Sequence, residues 1–271
     1  MTRIAMREDG LLASVRCALG RAERPRVDMV RPCTGEEERR AVSEVLDSGI
    51  LAQGPAVRDF ERAFAAYCGV EHAVAVANGT LALHAALLAA GVGEGDEVVT
   101  TPFSFVATAN AVLMAGARPV FAEVDPETLN LDPESARSAV THATRAILVV
   151  HLYGRPCPMD AFRSLARETG ARLIEDACQA HGAEHRGRRA GALGDMACFS
   201  FYATKNMTCG EGGMITTDDG EVASRVARLR FHGQDPGGRY VHRELGYNYR
   251  LTDIAASIGL CQLAKLRSEE H

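Results

Sequence analysis

Strand and helix signals alternate along most of this chain, and that alternation limits the folds open to it. Short apolar runs fall near residues 73–77, 97–101, 119–124, 146–152, 172–176, 196–201 and 213–217. Helical segments fall near 35–48, 56–68, 80–91, 104–115, 133–141, 159–169, 220–230 and 252–266. Such alternation predicts an α/β chain: a mainly parallel sheet with helices on both faces. Asp132-Pro133-Glu134 reads as a helix cap with proline and an acid in the first turn. Residues 233–239, rich in glycine, read as a mobile loop near the entrance of any site. The 271 residues, 46% hydrophobic and 24% charged, suffice for one large domain.

Composition also narrows the partners. Thirty Lys and Arg against 35 Asp and Glu give a net charge of −5. That balance gives no support for nucleic-acid or anionic-membrane binding. No apolar run approaches the ~20 residues that span a bilayer. The eight cysteines are scattered, with no CxxC and no ligand-like Cys/His spacing. A reduced, cytoplasmic protein without a structural metal is expected.

Lys205 carries the most chemical information. It follows the aromatic run Cys198-Phe-Ser-Phe-Tyr202 and precedes Gly210, Gly212 and Gly213. A lysine at the end of a core strand is partly desolvated, which makes its amine a nucleophile toward carbonyls. Schiff-base chemistry with pyridoxal phosphate fits; an ordinary solvated lysine is the alternative. Upstream, Arg172-Leu-Ile-Glu-Asp176 places an acid at the end of a strand, where open α/β sheets bind ligands. Asp176 could pair with a pyridine nitrogen and keep it protonated, or could equally be a helix N-cap. Gln179, three residues on, could reach a ring hydroxyl or be a plain exposed amide.

Two strand–helix joints complete the set. Ala73–Ala77 stops at Asn78-Gly79-Thr80, and an Ala/Leu-rich helix begins at once. Gly79 permits close approach of an anion, and Thr80 offers a hydroxyl beside free helix N–H groups. The same residues could serve only as turn and cap. Further on, Thr101-Pro-Phe-Ser-Phe105 places Phe103 or Phe105 where an aromatic could stack on a flat ring, or simply pack in the core.

The order of these elements resembles the DegT/DnrJ/StrS sugar aminotransferases, of the aspartate-aminotransferase fold type. The resemblance runs from about Val30 to about Leu266. It is carried by Gly35-Glu-Glu-Glu38, Leu51-Ala-Gln-Gly54, Ala77-Asn-Gly-Thr80, Thr101-Pro-Phe-Ser-Phe105, His151-Leu-Tyr-Gly154, Glu175-Asp-Ala-Cys-Gln-Ala-His-Gly182 and Gly246-Tyr-Asn-Tyr-Arg250. It implies a seven-stranded large domain with one antiparallel strand, and pyridoxal 5′-phosphate as cofactor.

By this resemblance Lys205 bonds the cofactor and shuttles the substrate proton, and Asp176 pairs with the ring nitrogen. Gln179 lies beside the ring hydroxyl, and Phe105, rather than Phe103, stacks on the ring. Gly79, Thr80 and Ser200 hold the phosphate. Asn248 serves the phosphate of the neighbouring subunit in a homodimer with shared sites. The implied donor is L-glutamate, and the implied acceptor a keto-sugar, usually nucleotide-linked. Related dehydratases, which use the pyridoxamine form, carry histidine at the lysine position; Lys205 favours transamination.

The resemblance also divides the chain. Residues 1–28 precede the usual family start and are expected to be disordered or weakly helical; translation could also begin at Met29. Residues 29–251 form the cofactor-binding large domain. Residues 252–271 begin a helix that in relatives leads to a smaller C-terminal domain, expected to be missing here. Two other readings stay open: a truncated cofactor-binding chain with little activity alone, or a non-catalytic subunit.

Overall fold

A computed structural model describes residues 31–269 apart from 236, 237 and 239. The expected extension at 1–28 and part of the expected loop at 233–239 lie outside the described residues. Seven strands form one sheet: β1 (His72–Val76), β2 (Glu97–Thr100), β3 (Arg118–Phe121), β4 (Thr144–Val150), β5 (Arg172–Asp176), β8 (Met196–Ser200) and β9 (Gly213–Thr217). Two further strands, β6 (Glu184–His185) and β7 (Arg188–Arg189), pair separately. The sheet order is β1-β9-β8-β5-β4-β2-β3. β9 runs antiparallel to both its neighbours, β1 and β8, while the remaining pairs are parallel.

Burial on both faces explains why these strands are nearly all apolar. Successive β8 side chains point to opposite sides. Met196 and Cys198 join a core with helices α3 (Gly79–Ala89), α4 (Ala107–Met114) and α7 (Gly220–Arg230). Ala197 and Phe199 join a core with α2 (Pro55–Cys68), α6 (Met159–Thr169) and α8 (Asp253–Glu269). In the second core, Phe64 lies 4.9 Å from Phe199 and 5.3 Å from Phe201, ring centroid to centroid. Truncating a buried aromatic of this kind costs about 3–5 kcal/mol. The cluster therefore fixes the end of β8 and the start of the segment that carries Lys205.

Helix starts follow local chemistry. Asn78 caps α3 by accepting from the Leu81 N–H at 3.0 Å. Asp132 caps α5 (Pro133–Ala139) by accepting from the Ser135 N–H at 2.7 Å, as its sequence predicts. Asp219 caps α7 through the Glu221 and Val222 N–H groups. The first helix, α1 (Glu36–Ser48), packs on α8.

Several boundaries differ from expectation. The helix expected from 104 begins at Ala107, because the Thr101 hydroxyl draws the Phe103 N–H into a turn at 3.0 Å. The strand expected to reach 124 ends at Phe121; Asp125 then accepts from the Glu127 and Thr128 N–H groups and turns the chain. β4 ends at Val150 rather than 152, as a short 3₁₀ turn forms at Leu152–Gly154. The β6–β7 hairpin was not expected at all. Its two-residue turn, Arg186-Gly187, has positive φ at both positions (51° and 76°), the geometry favoured by tight hairpins.

Candidate active site

β1, β5 and β8 point the same way in the sheet, and the residues singled out above gather at their C-terminal ends. They line one cavity of about 570 Å³, within the roughly 300–1,000 Å³ usual for small-molecule sites. Gly79 and Thr80 reach it from the start of α3, Asp176 from the end of β5, and Ser200 from the end of β8. Phe105, Gln179 and Lys205 also line it. Asn248 does not: it is exposed, and its backbone bridges to Phe231. Phe105 is favoured over Phe103, which is not among the lining residues.

Close packing brings these groups together. A Cβ on Gly79 would lie 2.7 Å from Ser200 Cβ and 3.0 Å from Cys178 Sγ. Only glycine therefore lets the N-terminus of α3 close against the end of β8. Ser200 Oγ and the free amides of that helix start face the same space, a ready anion cradle.

Asp176 is buried at the cavity floor and is held twice. Thr108 Oγ1 donates to its Oδ2 at 2.8 Å, and the Cys178 N–H donates to its Oδ1 at 3.2 Å. Its N-cap-like contact with Cys178 does not start a helix; the chain turns instead. Gln179 Oε1 accepts from the Tyr153 N–H at 2.9 Å, which leaves its amide N–H₂ to donate. Lys205 is half-buried, with its backbone N–H bonded to Tyr202 O at 3.0 Å.

The sequence did not single out some of the site's components. Thr108 lies in the first turn of α4 and carries no local signature. Glu211 lines the cavity from the glycine turn before β9. Behind the site, Glu175 is fully buried and accepts from the Gly191, Leu193 and Gly194 N–H groups at 2.7–3.0 Å. His151 Nε2 lies 2.9 Å from the same carboxylate. The Glu175-Asp176 pair was visible in the sequence, and alternation along β5 sends the two acids to opposite faces.

Two further groups have shifted protonation. Burial holds His181 down to about 3, and the Lys205 charge adds to this; the nearby Ser200 backbone opposes it. Neither ring nitrogen of His181 has a well-formed hydrogen bond among the described residues, and the ring packs 5.4 Å from Phe199 and 5.6 Å from Phe201. Burial pushes the Cys178 thiol well up, and neighbouring Asp176 adds to that. Cys178 is thereby a packing residue rather than a nucleophile.

The sequence model of the DegT/DnrJ/EryC1/StrS aminotransferase family matches residues 32–270. The chain belongs to this family. It is similar to GDP-perosamine synthase of Caulobacter vibrioides, at 46% identity over 91% of this chain and 66% of that protein. It is similar to the spore coat polysaccharide biosynthesis protein SpsC of Bacillus subtilis, at 45% identity over 87% of this chain and 63% of that protein. Among solved structures, S. venezuelae DesV in complex with a ketimine intermediate superimposes with a TM-score of 0.83. The two are 45% identical, over 86% of this chain and 62% of DesV. The chain thus spans just under two thirds of the length of the curated relatives it matches. The seven-stranded fold is that of the family's aminotransferases.

Proposed function

We propose that this chain encodes the cofactor-binding domain of a pyridoxal 5′-phosphate-dependent transaminase acting on a keto-sugar in amino-sugar biosynthesis. One observation carries the reading: Lys205 and the doubly held carboxylate of Asp176 line the same cavity as the Gly79–Ser200 anion cradle. An amine, a carboxylate and an anion cradle are the three contacts this cofactor needs, so the residues fit it. The similarity to GDP-perosamine synthase supports a nucleotide-linked sugar, and the family resemblance read from the sequence makes L-glutamate the donor.

When bound, pyridoxal phosphate supplies an electron sink for the substrate carbon that loses its proton. The chain's own residues do the rest. Gly79, Thr80 and Ser200 hold the phosphate at the start of α3. Asp176 keeps the ring nitrogen protonated, and Thr108 and the Cys178 N–H hold that carboxylate in place. Gln179 donates its N–H₂ toward the ring hydroxyl, because its oxygen is taken by Tyr153. Phe105, 69% exposed at the cavity lining, would cover the ring. Lys205 Nζ would hold the cofactor and, when free of it, would be the base that moves the proton to and from the substrate carbon. Asn248, exposed and outside its own cavity, completes the phosphate site of a second copy in a cytoplasmic homodimer. A lysine rather than a histidine at position 205 favours transamination over dehydration.

The test is an absorbance spectrum of the purified chain with pyridoxal phosphate, before and after L-glutamate. A long-wavelength band that Lys205→Ala abolishes, and that glutamate converts to the pyridoxamine form, is expected. A band unmoved by glutamate supports a cofactor-binding chain without transaminase activity from that donor. A band that survives Lys205→Ala rejects the lysine assignment, and the lack of any band rejects cofactor binding by this chain.

A further inference from the structure

A second cavity, of about 540 Å³, lies at the opposite ends of β5 and β8 from the first. Arg172 opens β5 and lines it, whereas Asp176, four residues on, ends β5 at the first cavity. Asp195 lines it just before β8, whereas Ser200 ends β8 at the first cavity. At about 3.3 Å per residue, roughly 13–17 Å of strand separates the two. Nothing in the proposed transamination uses this second space.

Its charge is unlike that of the chain. Four guanidinium groups line it, from Arg163, Arg167, Arg172 and Arg188, against one carboxylate, Asp195. The whole chain carries −5. Arg163 is ion-paired with Asp160, a carboxylate that it shares with Arg186. Arg167 spends only its Nε, on Arg163 O at 3.1 Å, and Arg188 bonds only the neutral Ala192 carbonyl. The Arg172 guanidinium has no hydrogen bond or ion pair among the described residues. Asp195 is already engaged, its Oδ2 accepting from the Leu173 N–H at 2.7 Å.

Three guanidinium groups without an ion pair therefore line one cavity from three elements, α6, β5 and the β6–β7 hairpin, with Asp195 the one carboxylate beside them. Gathering like charges costs free energy that a bound anion recovers. Guanidinium is the side chain whose fork matches phosphate oxygens two at a time. One tetrahedral phosphate accommodates one or two such forks, while three suit a pair of linked phosphates. The volume also fits a small ligand rather than a polymer. We infer that the cleft lined by Arg167, Arg172 and Arg188 is a binding site for a diphosphate group, separate from the reaction cavity. The group could be free diphosphate or the diphosphate of a nucleoside.

Calorimetric titration of the full chain with inorganic pyrophosphate, and separately with uridine diphosphate, at low salt and with saturating pyridoxal phosphate to fill the reaction cavity's anion cradle, tests this. Saturable binding is expected, weakening at least about tenfold in Arg172→Gln/Arg188→Gln and weakening as salt rises. Arg172→Gln alone breaks no side-chain hydrogen bond or ion pair of the fold, and an unchanged urea midpoint is expected beside its loss of affinity. Arg172→Lys keeps the charge but not the fork, and is expected to bind more weakly than the native chain. Arg39→Gln, on α1 and lining neither cavity, is expected to bind as the native chain does. Tighter binding of uridine diphosphate supports the nucleoside-linked source, and equal affinity supports free diphosphate. Lack of saturable binding of either probe overturns the site, as does an affinity unchanged in Arg172→Gln/Arg188→Gln.

Discussion

Thr108 Oγ1 donates a 2.8 Å hydrogen bond to Asp176 Oδ2, joining the first turn of α4 to the last residue of β5. Ser104 Oγ lies 3.1 Å from the same Thr108 oxygen. Because Thr108 gives its proton to the carboxylate, Ser104 is the donor to Thr108. A short relay thus fixes the orientation of the acid that the cofactor's ring nitrogen meets.

Thr108→Val keeps the shape and removes the donor. A hydrogen bond to a carboxylate contributes about 1.5–3 kcal/mol. The rate of the glutamate half-reaction is expected to fall at least about tenfold, with Thr108→Ser restoring most of it. Stopped-flow absorbance on the cofactor-loaded chain checks this. A Thr108→Val chain as fast as the native one would show that Asp176 needs no such support.

Glu175 offers a second prediction, about stability. It is fully buried and collects three backbone N–H groups and His151 Nε2. The Cys157 N–H donates to His151 Nδ1 at 3.2 Å, so the ring proton sits on Nε2 and points at Glu175. Glu175→Leu strands all four donors. A loss of about 3–5 kcal/mol is expected, read as a lower urea midpoint with an unchanged slope. A midpoint within error of the native value would mean that the loop at 190–195 re-pairs elsewhere.

The difference between Asp176 and Thr108 shows what a sequence makes legible here. Asp176, Gly79 and Lys205 stand where strands end, and each is an unusual residue type for its place. The order of strands and helices was equally plain, because both faces of the sheet are buried and the strands read as apolar runs. Thr108 and the contacts of Glu175 depend on which helix and loop lie against β5, which no local pattern states. The β6–β7 hairpin escaped because its strands have two residues each, too short for any periodicity. Asn248 was found only through family resemblance, and it lies outside the cavity of its own chain.

His181 links pH to stability. Burial, with Lys205, holds its pKa down to about 3, against about 6.5 in an unfolded chain. Between those values the unfolded chain takes up a proton that the folded one refuses. Stability therefore falls as pH drops from 6.5 toward 3. His181→Leu removes this dependence and the two unpartnered ring nitrogens. From pH 7 to pH 5 the native chain is expected to lose about 2 kcal/mol more than His181→Leu. Urea midpoints at the two pH values decide it; equal losses would mean that the buried ring is protonated as easily as a free one.

Glu38 operates in a lower window and at a different junction. It is buried between α1 and α8, where Oε1 accepts from Lys265 Nζ at 2.6 Å and Gln262 Nε2 at 2.8 Å. Its Oε2 accepts from the Gly35 N–H at 2.6 Å. Burial would raise its pKa, but the bonds from Lys265, Gly35 and Gln262 outweigh that and hold it down to about 2. A carboxyl held lower in the folded chain than in the unfolded one stabilises fully above the unfolded pKa, here 4.5. That contribution is lost as pH falls from 4.5 toward 2. Glu38→Gln keeps the volume and removes the charge. The native chain is expected to be more stable than Glu38→Gln at pH 6, with the gap closing by pH 2. His181 is common to both chains and cancels in this comparison. A gap that persists unchanged to pH 2 would assign Glu38 to packing rather than to its ion pair with Lys265.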